Sequence, residues 1–184
     1  TVSPSMDILV SSNLERLLYL MSGDAALVAE LMAQLKETGV YQVPDDLLEK
    51  MQSVFGSGCC DDAATKAAIG RLWKEQRYLA DTHTAVAWQV AQDYKAACAD
   101  HNPVVVLSTA SPYKFPAAVL EGLGEQPEDD EFAVMERLPA LTGVPVPPNL
   151  ASLRQQAVRH RDVIDREDML AYVLKKAGEP VWSE

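Results

Sequence analysis

The chain has 184 residues, 48% hydrophobic and 23% charged, enough apolar material to bury a core without disulfides. Its net charge of -11 repels phosphate backbones and argues against nucleic-acid binding, and no apolar run has the length of a membrane span. The three cysteines, Cys59, Cys60 and Cys98, are too few and wrongly spaced for a zinc site, so no metal is expected. Their odd number fits a reducing, cytoplasmic setting. Thr1 opens onto Ser3-Pro4-Ser5 with no basic leader, and the sequence is expected to begin in the middle of a larger protein.

In chain order, Ser12-Asn13-Leu14-Glu15 has the spacing of a capping box. Leu14, Leu17, Leu18 and Met21 then form one apolar stripe, and Gly23 stops the helix. Asp24 caps a second helix with Val28, Leu31, Met32 and Leu35 on one face, ended by Gly39. Pro44 suits the first turn of a third, with Leu47, Leu48, Met51 and Phe55 inward. After the Gly56-Ser57-Gly58 loop, Asp61 or Asp62 starts a fourth helix carrying Ile69, Leu72 and Trp73. A long helix is expected from about Thr84 to Asp100, with Val86, Val90, Tyr94 and Ala97 at helical spacing.

Pro103-Val104-Val105-Val106-Leu107 breaks this pattern. A continuous β-branched run reads as a parallel strand near 104–108, buried on both faces. Tyr41-Gln42-Val43 and Tyr78-Leu79-Ala80 are candidate short strands beside it, and residues elsewhere must complete such a sheet. The turn Ser108-Thr109-Ala110-Ser111-Pro112 follows, then an apolar helix with Phe115, Val119, Leu120 and Leu123. This α-β-α order predicts an α/β fold, mostly helical in this segment. Glu125 to Glu131 reads as a solvated loop and Phe132 to Leu141 as a helix. Pro145, Pro147 and Pro148 make an extended connector, and Leu150 to Gly178 reads as two amphipathic helices, the second capped at Asp165.

Two places can carry chemistry. Ligands of open α/β sheets sit outside the carboxyl ends of strands, where Ser108 and Thr109 offer hydroxyls and Ala110 allows close approach, although Ser and Thr in a strand-to-helix turn also commonly do no more than satisfy local amides. Asp81-Thr82-His83-Thr84 precedes the long helix, whose N-terminus favours anions, although Asp and Thr are also ordinary caps. There is no glycine-rich phosphate loop, no H-E-x-x-H and no G-x-S-x-G.

Four segments resemble threonine synthases, in the order that family has them. Ser3-Pro4-Ser5-Met6-Asp7-Ile8 through Ser12-Asn13-Leu14-Glu15-Arg16 is similar to a long family segment. Asp81-Thr82-His83-Thr84-Ala85-Val86 resembles D-P-H-T-A-V, with Thr82 in place of the proline. Thr109-Ala110-Ser111-Pro112-Tyr113-Lys114-Phe115 resembles T-A-H-P-x-K-F, with Ser111 in place of the histidine. Thr142 to Pro147 resembles the late T-G-x-P-x-P connector.

The resemblance implies the C-terminal part of a fold-type-II pyridoxal-phosphate enzyme, related in fold to the tryptophan synthase β subunit. Residues 1–124 would belong to its large α/β domain, with a helical insertion at about 24–78, and 125–184 would be a C-terminal helical extension. The parent enzyme would be a carbon-oxygen lyase of threonine biosynthesis, converting O-phospho-L-homoserine and water to L-threonine and phosphate. Thr109 matches the position whose hydroxyl bonds the pyridine nitrogen, with Ser108 and Ala110 lining the same turn. Asp81, His83, Thr84 and Lys114 are expected near the active-site wall, while Ser5, Asn13 and Arg16 have no assigned role. The segments carrying the Schiff-base lysine and the phosphate-cradling loop have no counterpart here. The missing N-terminal part of the same enzyme is therefore the expected partner, and the chain alone is expected to be inactive. A non-catalytic binding module of the same fold, or a related lyase acting on another phosphorylated amino acid, are the alternatives.

Overall fold

The computed structural model describes residues 1–98 and 101–178 and divides into two compact units, Thr1–Pro147 and Pro148–Glu184. Helix α1 (Ser12–Ser22) begins where the Ser11 hydroxyl accepts from the Leu14 amide at 3.3 Å. The cap thus lies one residue before the expected Ser12, so the Ser12–Glu15 box does not form. Gly23 ends the helix at φ +69°, the left-handed conformation that costs a glycine least. Asp24 accepts from the amides of Ala26 and Leu27 to open α2 (Ala25–Thr38), and Gly39 closes it at φ +79°. Pro44 precedes α3 (Asp45–Gln52) as its cap residue. Leu18, Val28, Leu31 and Leu47 from these three helices form one buried cluster, flanked by Met21, Met32 and Met51. Leu48 and Phe55, expected inward, are exposed.

The second half of this unit is a layer of four helices. Asp61 accepts from the Ala64 amide at 2.7 Å and starts α4 (Asp62–Gln76). Next come α5 (Thr82–Cys98), α6 (Pro116–Gly122) and α7 (Glu131–Thr142). Helix α4 packs on α5 and α6, and α6 on α7. Ala68, Ile69 and Leu72 from α4 meet a core completed by Ala85, Val119, Leu120, Val134 and Leu138. Burying each large aliphatic side chain contributes about 1.5–3 kcal/mol. Helices α4 and α6 approach at glycines. A methyl group on Gly70 would lie 2.5 Å from the Gly122 carbonyl oxygen, and one on Gly122 would lie 2.9 Å from Ile69 Cβ. The predicted end of the long helix, at Asp100, lies outside the described residues.

The expected parallel strand does not form. Among the described residues there is no β-strand at 103–107, at Tyr41–Val43 or at Tyr78–Ala80. Val105 and Leu107 are 83% and 73% exposed rather than buried on two faces. A β-branched run supplies propensity, but a strand also needs a neighbouring backbone to take its hydrogen bonds, and the described residues contain none.

The unit from Pro148 holds the short helix α8 (Pro148–Ala151), single 3-10 turns at Leu153–Gln155 and Arg166–Asp168, and α9 (Met169–Ala177). The first of the two expected tail helices is thus only one turn long, and Asp165 makes no side-chain cap. Tyr172 donates to Asp162 at 2.7 Å and, together with Lys176, holds that carboxyl below the usual aspartate range.

Candidate functional site

Asp81 starts the site by capping α5. Its Oδ1 accepts from the His83 amide at 2.9 Å and the Thr84 amide at 3.4 Å. The capping turn is interior: Asp81, Thr82, His83 and Thr84 are all buried. Burial of four polar side chains is tolerable only if each finds partners, and no buried side-chain polar atom among the described residues is left without one. The Thr84 hydroxyl bonds Asp81 Oδ2, and His83 Nδ1 lies 3.1 Å from Asp81 Oδ1.

Two distant segments converge on this turn. The Ser5 amide donates to His83 Nε2 at 3.2 Å. On the other side Thr84 Oγ1 lies 3.2 Å from Ser108 Oγ, which the Tyr78 hydroxyl also reaches at 2.9 Å. The Phe115 ring packs against the His83 ring at 5.0 Å, and Lys114 Nζ stands 6.0 Å from the Phe115 centroid. The two places singled out by sequence, 81–84 and 108–110, are thus joined through the Thr84–Ser108 contact, and Lys114 lies beside them. Ser108 and Thr109 are exposed, Ala110 is half-buried, and Thr109 makes no hydrogen bond among the described residues. Asn13 and Arg16, which bond one another, lie in α1, and Arg16 lines a separate surface cleft between α1 and α2.

Nearby groups hold the frame. Ser111 accepts from the Tyr113 amide, and the Tyr113 hydroxyl donates to the Val144 carbonyl. Burial pushes the Tyr113 phenol above its ordinary value. Asp62 accepts from the Val2 amide at 3.0 Å, and that bond lowers its carboxyl below the usual range. Ser5 and Tyr78 escaped the sequence reading as site residues. Ser5 contributes a backbone amide, which every residue but proline has, and Tyr78 sat in a segment read as a strand.

No described cluster of three or more His, Cys, Asp or Glu side chains is arranged to hold a metal. Cys59 and Cys98 are exposed, and Cys60 lies 3.4 Å from the Thr65 hydroxyl. No described helix is long and apolar enough to cross a membrane.

The candidate site is therefore a buried, capped helix start tied to an exposed hydroxyl turn in a helical unit. The family model described as "Threonine synthase, C-terminal" matches residues 84–173, which include Thr84, the whole 108–110 turn and Lys114. "Threonine synthase-like 1" of Macaca fascicularis is 41% identical over 124 residues, 67% of this chain and 16% of that protein. A crystal structure of pyridoxal-phosphate-bound threonine synthase from Brucella melitensis aligns with a TM-score of 0.62 and 38% identity, covering 74% of this chain and 29% of that one. The yeast threonine synthase structure aligns with a TM-score of 0.75 and 25% identity over 96% of this chain and 36% of its own. The chain belongs to the threonine synthase family and corresponds to its C-terminal portion. It spans only 16% to 30% of the length of the curated relatives it matches.

Proposed function

We propose that this chain serves as the C-terminal portion of a threonine synthase, a pyridoxal-phosphate lyase converting O-phospho-L-homoserine and water to L-threonine and phosphate. The observation that carries the reading is the contact between Thr84 and Ser108, two residues that both lie within the family match. The donor set fits one end of the cofactor. Thr109 carries an exposed hydroxyl with no hydrogen-bond partner among the described residues, suited to a pyridine nitrogen, and Ala110 beside it adds only a methyl group. The turn has no run of glycine amides for a phosphate, so that group would be held from outside this chain.

When bound, the cofactor supplies an electron sink for charge developing at the substrate Cα. This chain's own residues would orient it. Thr109 would hold the ring nitrogen, Ser108 and Ala110 would line the face of the turn, and Asp81, His83 and Thr84 would keep the turn in place. Lys114, set beside Phe115, would lie near the substrate rather than anchor the cofactor. The residues that anchor the cofactor covalently and bind its phosphate would come from the rest of the parent protein, so the chain alone would be inactive. A place in the cytoplasm and in threonine biosynthesis belongs to the same reading.

The test is an assay of the complete parent protein for phosphate release from O-phospho-L-homoserine with threonine as the organic product. Absence of threonine would exclude the reading. A second reading, a binding module without catalysis, is favoured by one observation: the buried polar groups at 81–84 are satisfied within the chain and need no ligand. Cofactor binding without turnover of any phosphorylated amino acid would select it. Release of phosphate with a different product would select a related lyase.

A further inference from the structure

The hydrogen bonds around Asp81 have a direction that their distances alone do not give. An ionised carboxylate only accepts, so the Thr84 hydroxyl must spend its single proton on Asp81 Oδ2. Thr84 then has only lone pairs for Ser108, and Ser108 must be the donor in the 3.2 Å contact between them. With its proton turned inward, Ser108 meets the Tyr78 hydroxyl as an acceptor, and Tyr78 donates at 2.9 Å. The order is Tyr78 to Ser108 to Thr84 to Asp81.

His83 obeys the same logic. The Ser5 amide donates to Nε2, so that nitrogen carries no proton. The remaining proton sits on Nδ1 and points at Asp81 Oδ1. His83 is therefore a neutral bridge between the Ser5 backbone and Asp81, with no free ring nitrogen to act as a base.

We propose that Asp81 is a positioning residue: its buried carboxylate sets the donor direction of the Tyr78–Ser108–Thr84 relay and the tautomer of His83, so that the 108–110 turn and the Tyr78 hydroxyl beside it offer a ligand acceptor oxygens at Ser108 and Tyr78 and a single donor hydroxyl at Thr109. The ligand half of this statement rests on the pyridoxal-phosphate reading above; the direction of the relay does not. Ser108 and Tyr78 are both exposed, so a ligand N–H or O–H can reach their remaining lone pairs. A ring nitrogen that needs a donor would find it at Thr109.

The first test is a long-range proton–nitrogen NMR spectrum of the full chain labelled with 15N-histidine, with the His83 signals assigned by His83→Gln. The expected result is a ring protonated on Nδ1 and bare on Nε2; a ring protonated on Nε2 or on both nitrogens overturns the proposal. Asp81→Asn is expected to change that tautomer and to speed Ser5 amide deuterium exchange at least tenfold; a folded variant with both unchanged overturns it. Should Asp81→Asn fail to fold, Thr84→Val and Thr84→Ser decide. The couplings of Ser108 should show one fixed side-chain rotamer in the wild type and Thr84→Ser, and averaging in Thr84→Val. Averaging in the wild type, or a fixed rotamer in Thr84→Val, overturns the proposal.

The ligand half is read with pyridoxamine 5'-phosphate on the complete enzyme. Thr109→Ala should weaken its binding at least tenfold, and Thr109→Ser, which keeps the hydroxyl, should restore it. A tenfold loss that Thr109→Ser does not restore overturns the assignment of Thr109 as the donor. If Thr109→Ala leaves binding unchanged while the NMR results hold, the cofactor reading and the ligand half fail together and the relay direction stands.

Discussion

Gly70 of α4 and Gly122 of α6 face each other so closely that a Cβ on the first would meet the carbonyl oxygen of the second at 2.5 Å. Backbone, not a movable side-chain end, occupies that space. Gly70→Ala and Gly122→Ala must therefore push the helices apart, at a cost of about 1–3 kcal/mol. Urea denaturation of the chain should show lower midpoints for both, whereas Gly124→Ala, with open space but φ +89°, should report backbone strain alone.

Leu138 has no exposed surface and lies in the core where α6 and α7 pack. Leu138→Ala should cost about 2–5 kcal/mol through lost burial and a residual cavity. The same measurement on the exposed Leu170→Ala should give a change within about 0.5 kcal/mol.

Stability should respond to pH at both ends of the scale. The Asp62 carboxyl is lowered by the Val2 amide bond, so its contribution is present above the ordinary aspartate value and fades as pH falls through the lowered one. Asp62→Asn should flatten the acid limb of a melting-temperature profile below about pH 4. Tyr113 is raised by burial, so its contribution is complete below about pH 10 and is lost as pH rises through the raised value. Tyr113→Phe should remove that alkaline loss while costing about 0.5–1.5 kcal/mol at neutral pH for the bond to the Val144 carbonyl.

Thr109 is exposed and makes no hydrogen bond among the described residues, so Thr109→Ala should leave folding within about 0.5 kcal/mol of the wild type. If the proposed function holds, the complete enzyme carrying Thr109→Ala should still lose turnover, read as threonine formed per unit time. Loss of stability with unchanged turnover would reverse the roles assigned here.

Helix boundaries were the most legible feature of this sequence, because their signals are local. Gly23 and Gly39 in left-handed turns, and Asp24 and Asp61 accepting from first-turn amides, depend only on residues a few positions away. The 103–107 run misled for the opposite reason: a strand exists by virtue of a second strand, and none is present among the described residues. The site was half legible. Asp81 and Thr84 showed as caps, and the turn at Ser108 showed as polar, but the contact between them spans 24 positions. Tyr78 reaches Ser108 across 30, and no pattern in either segment announces the other.

The bond from the Ser5 amide to His83 is carried by main chain on one side and by an imidazole on the other. Saturation mutagenesis should read these two partners very differently. Position 5 should accept nearly any side chain and reject proline, the residue with no amide hydrogen, while position 83 should be intolerant throughout. An inventory of sensitive positions would then credit the whole interaction to the histidine, and a constraint 78 residues away would pass unseen.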